Sequence, residues 1–489
     1  MKNISFHQLH VKNGQKNLYF RIFLLAVMIV LNIFLLLMAT TAEQNSWIKI
    51  IAILSILQLV INVLLITKLD GTLFSLPVLF LLFSWIFHFG NIIIIGFDLS
   101  STLTIYRMTN VVPGNIFRDT VEFALYVQSI VAFGMFLVLF FSKKYETTEA
   151  TNIEDDKNYL NLIKNIGIIL FIIGIVPTLY IDIGKLILFM NSGYLATYSL
   201  EQSGSLIVLA RLFKVGIIML IIGNKNKPKL ATAIFILIVV YQLFAMLSGN
   251  RGRAVIEIIV LFYIYTNMIY RIRFKNILLY GSLGYLLIII LNAMSIFRLN
   301  QSPNLEGFMN AITESLQTSP IMQVLSEFGA TVITACYSLM FFSGDEFIQY
   351  GKNYLYSFIT IFPNVGGIYN AFYEKTIYVM NFPESYRRYL GGSYIGELFY
   401  SMKKGGIPFA MIIGIFISLF SQKIKQARIQ KKYILLSIYM IIFPDIIWWI
   451  RGYFIEIIRY PIWIAFAIYV IYNFLNRKSI SFKIEAKKL

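Results

Sequence analysis

Twelve largely apolar runs, each long enough to form a membrane-spanning helix, constrain this chain more than any other feature. They lie at about 22–39, 48–67, 72–96, 121–142, 164–182, 205–223, 230–247, 254–270, 276–297, 405–421, 433–450 and 455–475. Each is close to the roughly 20 residues that a helix needs to cross about 30 Å of hydrocarbon. Because lipid offers no hydrogen bonds to the backbone, such runs must be helical. The sequence therefore predicts an all-α, polytopic membrane helix bundle of about 12 spans.

Composition supports this fold class and excludes several others. Hydrophobic residues make up 58% of the chain, charged residues only 13%, and the mean hydropathy is +0.73. The net charge of +18 does not indicate nucleic-acid binding, since the basic residues stand between apolar runs. A single cysteine, Cys336, excludes an internal disulfide, and three histidines do not predict a metal site. We expect a single integral-membrane domain over residues 1–489, with no metal and no cofactor.

The basic residues also predict the orientation of the spans. They are concentrated in alternate connections, at Lys143-Lys144, 225–229, 271–275 and 423–432. The connections at 41–47 and 183–204 hold few basic residues. Because short cytoplasmic loops are enriched in Lys and Arg, we expect both termini in the cytoplasm.

The longest connection, residues 298–404, is then a large extracytoplasmic loop. Polar residues recur every three to four positions from Ile321 to Phe342. This spacing predicts an amphipathic or re-entrant helix, at the membrane interface or tucked against the bundle. A rival interpretation makes the segment a further span with a returning helix over Tyr354 to Phe372. Pro363 and Gly366-Gly367 would break that returning helix.

Basic side chains gather at the predicted outer ends of the spans: Arg251, Arg253, Arg298, Arg451, Arg459, Arg211 and Lys214. Glu456 lies three residues before Arg459, a spacing that allows an ion pair on one helix face. Ionisable residues inside spans are costly and usually face a polar cavity. Since planar guanidinium groups bind phosphate oxygens two at a time, we interpret this set as a site for a lipid phosphate. The alternative is that each side chain simply extends to the membrane surface.

His88 lies inside the third apolar run, beside Phe89 and Gly90. A histidine in that position is favoured as an interior residue whose ring nitrogens are both hydrogen-bonded. A proton carrier is the alternative.

Two short motifs resemble those of Wzy-type oligosaccharide repeat-unit polymerases. Residues Ser248 to Arg253 (SGNRGR) are similar to the family's S-G-x-R-G signature. Residues Gly392 to Tyr400 (GSYIGELFY), preceded by Gly391, are similar to its G-x-S-x-x-x-E-x-x-Y element. The large external loop late in the chain (298–404), the number of spans, and the arginines near the C-terminus also fit this family. The chain departs from many relatives at 401–405, where SMKKG replaces an Asn-Phe-Gly sequence.

The resemblance implies transfer of a growing glycan from a polyprenyl diphosphate to a hydroxyl of the next lipid-linked repeat unit. The reaction would take place at the outer face of the bacterial inner membrane. The implied partners are polyprenyl-diphosphate-linked oligosaccharides and the bilayer, with a chain-length regulator and a flippase.

The residues found above fit roles in that chemistry. Cations must stabilise the leaving diphosphate, a role we assign to Arg251, Arg298 and Arg451 together with Arg253. The attacking hydroxyl needs a base, for which Glu397 is the first choice, with Glu327 and Asp345 in reserve. Further substrate contacts are expected from Arg253, Arg211, Lys214, Arg387, Arg388, Arg459 and Tyr394.

Two other functions remain open from the sequence. A flippase for lipid-linked oligosaccharides would use the same cations, but the hundred-residue connection at 298–404 argues against its short loops. The sequence barely distinguishes a polymerase from another polyprenyl-phosphate-dependent glycosyltransferase or ligase. Related ligases carry a histidine in their large external loop, and this chain has none there. The sugars, the linkage, and the choice between capsule and O-antigen are not encoded in any recognisable motif.

Overall fold

The computed structural model describes residues 6–43, 46–99, 110–142, 157–200, 204–246, 251–270, 277–297, 305–317, 319–362, 364, 367, 369–387 and 390–485. Over these residues the chain is helical and contains no strand. Its α-helices are α1 (Phe6–Thr40), α2 (Trp47–Asp70), α3 (Leu76–Gly96), α4 (Gly114–Phe141), α5 (Lys157–Ser192), α6 (Gly204–Gly223), α7 (Pro228–Ala245), α8 (Arg251–Met268), α9 (Ile277–Phe297), α10 (Leu305–Gln317), α11 (Pro320–Gly329), α12 (Val332–Phe341), α13 (Lys352–Ile359), α14 (Asn370–Thr376), α15 (Glu384–Arg387), α16 (Tyr394–Met402), α17 (Gly406–Ile429), α18 (Tyr433–Trp448) and α19 (Ile455–Glu485).

Within this described part, 11 helical segments are long and apolar enough to cross a membrane. All coincide with predicted runs except Pro320–Phe341. The runs predicted at 254–270 and 276–297 form α8 and α9. Helix α8 carries Arg251, Arg253 and Glu257, and α9 contributes a shorter apolar stretch, Gly281–Phe297. The predicted all-α, polytopic membrane helix bundle is therefore confirmed.

The predicted loop helix from Ile321 to Phe342 forms two helices, α11 and α12. At their junction, a Cβ on Gly329 would lie 2.2 Å from the backbone nitrogen of Asn91 in α3. The junction is thus packed against α3 within unit 1, and Pro320–Phe341 is also long and apolar enough to cross a membrane, as the rival interpretation expects. The returning helix over Tyr354 to Phe372 is not continuous, because α13 ends at Ile359 and α14 begins at Asn370.

The chain divides into two compact units. Unit 1 contains Met1–Glu146, Leu325–Gly351 and Phe382–Gln422, and unit 2 contains Thr147–Val324, Lys352–Asn381 and Lys423–Leu489. The predicted loop at 298–404 contributes segments to both units. Its extracytoplasmic location and a single membrane domain over residues 1–489 stay predictions.

In unit 2, α5 and α6 approach each other through glycines. A Cβ on Gly174 would lie 2.1 Å from the backbone nitrogen of Phe213, and one on Gly216 would lie 2.5 Å from that of Phe171. The Thr178 hydroxyl donates to the carbonyl oxygen of Ala210 across the same interface, at 2.9 Å. Small residues let helix backbones meet this closely in membranes. The contact fixes the position of α6, which carries Arg211 and Lys214, two of the basic residues of the site described below.

We expect Gly174→Ala to destabilise the protein, because the added methyl group overlaps backbone atoms that cannot move independently. Overpacking of this kind costs about 1–3 kcal/mol. The matched control is Gly281→Ala in α9, where a Cβ would meet nothing within 4 Å. Thermal unfolding of the purified protein in detergent should show a lower midpoint for Gly174→Ala and an unchanged or slightly higher one for Gly281→Ala. Equal midpoints for the two variants would contradict the glycine contact.

Candidate active site

Charged side chains from four helices of unit 2 line two adjoining pockets. The two pockets share Arg211, Lys214, Gln242, Arg253 and Glu257. The first also has an apolar wall that includes Ile217, Ile218, Ile238, Val260, Leu261 and Ile441. The second is more polar and is also lined by Thr178, Asp182, Lys185 and Tyr241. The charged residues that the two pockets share therefore lie between an apolar pocket and a more polar one.

Asp445 of α18 holds the two arginines of this group. Arg211 of α6 donates from Nη1 to both carboxylate oxygens, at 3.1 and 3.3 Å. Arg253 of α8 donates from Nη2 to Oδ1 at 3.1 Å. The Asp445 side chain is only 7% exposed, so its charge requires these partners. Three helices are thereby joined through one carboxylate.

Aromatic rings cover the faces of the same guanidinium groups. The Arg211 guanidinium lies 3.8 Å from the ring centre of Tyr460 in α19. The Arg253 guanidinium lies 5.5 Å from that of Trp448 in α18. A cation over an aromatic face is attracted by the ring's quadrupole. Each arginine is thus fixed at one edge by the carboxylate and on one face by a ring.

Glu257 organises the other side of the site. It pairs with Lys214, and its Oε2 accepts a hydrogen bond from Gln242 Nε2 at 2.7 Å. Arg253 Nε lies 3.9 Å from Glu257 Oε1, one helical turn away on α8. Further into the polar pocket, the Tyr241 hydroxyl donates to Asp182.

The described pocket walls hold four basic residues, Lys185, Arg211, Lys214 and Arg253, and three acidic ones, Asp182, Glu257 and Asp445. Each guanidinium has five N–H donors. Asp445 engages one nitrogen of Arg211 and one of Arg253, so donors on both groups remain for a ligand. The arrangement can therefore bind a multivalent oxyanion whose carrier is apolar.

Four of the predicted arginines, Arg251, Arg387, Arg451 and Arg459, are not part of the described lining of these two pockets. Arg251 is buried and donates from Nη1 to the carbonyl oxygen of Leu291 in α9, at 3.1 Å. Arg451 packs beside Gly252, where a Cβ would lie 3.6 Å from its Nη1. Arg387 is on the surface, 3.9 Å from Glu384. Arg298 and Arg388 lie outside the described residues.

The predicted ion pair between Glu456 and Arg459 is not formed in the described structure. Arg459 lies over the rings of Tyr373 and Tyr460, 5.8 and 5.9 Å from their centres. Glu456 lies instead beside Gly452, where a Cβ would come 2.9 Å from its Oε2. The three-residue spacing allowed the pair, but the Arg459 guanidinium lies over aromatic rings instead.

The motif at 392–400 forms the start of α16, inside unit 1. Ser393 caps the helix, since its hydroxyl accepts from the Gly396 backbone nitrogen at 3.3 Å. Tyr394 is fully buried, and its hydroxyl lies 2.9 Å from Ser84 Oγ. Glu397, one turn into the helix, is 1% exposed. A carboxylate in the first turn is stabilised by the helix dipole.

His88 of α3 connects this motif to the core of unit 1 through hydrogen bonds. Its Nε2 lies 2.8 Å from Ser393 Oγ and its Nδ1 lies 2.9 Å from the Ser84 carbonyl oxygen. Both ring nitrogens therefore have partners, and the prediction of a satisfied interior histidine is confirmed. Of the two reserve bases, Glu327 is half-buried in α11 and Asp345 is exposed after α12.

A comparison with known protein families identifies the family of this chain. A family described as O-antigen polysaccharide polymerase Wzy matches residues 20–482. The chain belongs to this family. No curated protein and no solved structure matches it. Wzy membership, together with the apolar helices, makes it a multi-pass bacterial membrane protein of polysaccharide biosynthesis, an O-antigen polymerase in the general sense.

The sequence of this Wzy-family protein predicted Arg211, Lys214 and Arg253 as site residues. It did not predict the acidic residues that pair with them. The spacing of Glu257, four residues after Arg253, could have indicated it. Asp445 is 192 residues from Arg253, and only the fold brings them together.

We expect Asp445→Asn to lower stability strongly, because it removes a buried carboxylate and leaves two half-buried guanidinium groups without their shared partner. Breaking a buried ion pair costs about 3–5 kcal/mol. The control is Glu384→Gln, which removes an exposed pair worth under about 1 kcal/mol. Thermal unfolding in detergent measures both. An Asp445→Asn midpoint equal to that of Glu384→Gln would show that the shared carboxylate does not stabilise unit 2.

Proposed function

We propose that this protein joins polyprenyl-diphosphate-linked oligosaccharide repeat units into a surface polysaccharide at the outer face of the cytoplasmic membrane. The observation that carries the proposal is the pair of adjoining pockets in unit 2, apolar on one side and polar on the other. A polyprenyl diphosphate has the same two parts, an isoprenoid chain and a charged head. The basic side chains lie where the two parts would join.

The arginines would stabilise the leaving group. In the transfer, the bond between the anomeric carbon of the donor sugar and the diphosphate oxygen breaks, and its electron pair stays on the diphosphate. A hydroxyl oxygen of the acceptor sugar forms the new bond to that carbon and gives up its proton to a base. Cations already oriented toward the developing charge accelerate such a step. Arg211 and Arg253 are held in this way by Asp445, Tyr460 and Trp448.

We assign Glu397 as the base and expect it to take the proton of the acceptor hydroxyl. The support is its place: Glu397 is a buried carboxylate in the first turn of α16, within the motif at 392–400. Arg251 and Arg451 stay proposed contributors to diphosphate stabilisation, and so does Arg298. A flippase and a chain-length regulator stay proposed partners.

The arginine roles predict that lysine cannot replace Arg211 or Arg253, because it keeps the charge and loses the planar fork. Charge-assisted hydrogen bonds are worth about 1.5–3 kcal/mol, so each variant should polymerise about 10- to 100-fold more slowly. The measurement is polymer formation by purified protein in liposomes supplied with lipid-linked repeat units. Arg118→Lys is the control, since Arg118 pairs with Glu122 in α4, outside the pockets. Normal rates for Arg211→Lys and Arg253→Lys would exclude this role, and wild-type protein that moves the lipid without lengthening the glycan would indicate a flippase.

The assignment of Glu397 predicts that Glu397→Gln loses turnover while the protein stays folded. Glutamine keeps the shape and hydrogen bonding of glutamate but not its basicity, and general-base catalysis contributes about 10² to 10⁴ in rate. Polymer formation and thermal unfolding are measured on the same preparation, with Glu346→Gln, an exposed acid after α12, as control. A lower unfolding midpoint with turnover retained by the folded fraction would make Glu397 structural instead.

A further inference from the structure

A third pocket in unit 2 has features of a sugar-binding site. It lies between the end of α13, helix α14 and helix α19. Its described lining is Thr360, Phe362, Asn364, Tyr369, Asn370, Tyr373 and Arg459. Two of the aromatic residues remain open to solvent, Phe362 at 63% and Tyr373 at 38% exposure. Exposed rings beside amide side chains offer an apolar surface and hydrogen-bonding groups together.

The segment that forms this pocket packs against α19 and the residue that precedes it. The indole nitrogen of Trp463 donates to the carbonyl oxygen of Ile361 at 2.8 Å. Tyr354 and Phe358 both pack against Phe454, with ring centres 5.2 and 6.2 Å apart. The walls of the pocket therefore belong to the packed helices of unit 2.

Hydrogen bonds orient the two amides. Asn364 Nδ2 donates to Asn370 Oδ1 at 2.6 Å, and Asn364 Oδ1 accepts from the Tyr369 backbone nitrogen at 2.9 Å. Gly367 adopts a φ of +77°, and a Cβ there would lie 3.1 Å from Asn370 Nδ2. The Asn370 amide group keeps its N–H donors for a ligand such as a sugar hydroxyl.

The described lining of the pocket carries a positive charge, and the Glu456 carboxylate lies close enough to act on Tyr373 electrostatically. Arg459 is the basic residue of its described lining, which contains no carboxylate. The guanidinium lies against the rings of Tyr373 and Tyr460 and forms no ion pair within the described part of the chain. Burial raises the pKa of Tyr373 above its ordinary value, so its hydroxyl is neutral near pH 7 and does not neutralise Arg459.

The pocket adjoins the diphosphate site proposed above. Tyr460 contacts both guanidinium groups, that of Arg211 at 3.8 Å and that of Arg459 at 5.9 Å from its ring centre. A single planar guanidinium fits one carboxylate, whereas a diphosphate requires several cations, which the first site supplies. The two sites therefore suit different parts of one molecule.

We propose that this pocket binds a carboxylate-bearing sugar of the repeat unit. Arg459 binds the carboxylate, Tyr373 or Phe362 packs against the sugar ring, and the Asn370 amide donates to a hydroxyl. The assignment rests on the proposed function, because it takes the sugar to be part of the lipid-linked substrate.

The test is binding of methyl glucuronide and methyl glucoside to the purified full-length protein in detergent, measured by saturation-transfer NMR. These probes differ only at C6, which is a carboxylate in the glucuronide and a hydroxymethyl group in the glucoside. Wild type is expected to bind the glucuronide about 10- to 100-fold more tightly, the range of a charge-assisted hydrogen bond. Arg459→Met should lose that preference, whereas Lys375→Met, which removes a cation over the Tyr356 ring outside the pocket, should keep it.

Asn370→Asp provides a second test that does not depend on how Arg459→Met folds. It places a carboxylate at the exposed rim of the pocket and should weaken glucuronide binding more than glucoside binding. Equal binding of both probes to wild type, or an unchanged preference in Arg459→Met or Asn370→Asp, would overturn the inference. Polymer formation is assayed separately: wild type that polymerises without the preference overturns only the sugar site. Wild type that shows the preference but makes no polymer supports the sugar site and overturns the polymerase.

Discussion

The arrangement of unit 2 depends on one buried carboxylate shared by two arginines. Asp445 accepts hydrogen bonds from Arg211 of α6 and Arg253 of α8, and the three residues come from helices whose other residues are mainly apolar. Removing such charges from water is expensive, and they persist only where partners compensate them. The bridge therefore holds α6, α8 and α18 in one relative position. The close glycine contact between α5 and α6 fixes the same helix from its other side.

The bridge through Asp445 also explains how a cluster of ion pairs can still bind a charged ligand. A guanidinium that is held by a carboxylate at one edge and by a ring on its face has little freedom left to lose when a ligand binds. The remaining N–H donors then point in fixed directions, which is the condition for stabilising charge as it develops. Because acidic side chains balance most of the basic ones, the site does not depend on a large excess of positive charge. Tyr460 also contacts Arg459, which lines the proposed sugar-binding pocket.

The sequence predicted the fold far better than the site. Span positions follow from hydropathy alone, since lipid requires apolar, internally hydrogen-bonded helices. The break between α13 and α14 follows from Pro363 and its neighbouring glycines. Packing of α11 against α3 could not be predicted, because it depends on a backbone contact between Gly90 and Gly329. Arg211 and Lys214 were found because they are basic residues near the predicted outer end of a span, but Asp445 was missed, since no local pattern marks a partner so distant in the chain.

The most direct measurement of the central claim is photo-crosslinking with a polyprenyl diphosphate that carries a diazirine on the isoprenoid unit next to the diphosphate. If the adjoining pockets hold the carrier, the label should attach to pocket residues of α6, α8 and α18, such as Ile218, Leu261 and Ile441. Excess unlabelled carrier should prevent the reaction. Labelling confined to exposed residues on the outside of α7, such as Leu237 and Val240, would show that the carrier is only dissolved around the protein and would contradict the account.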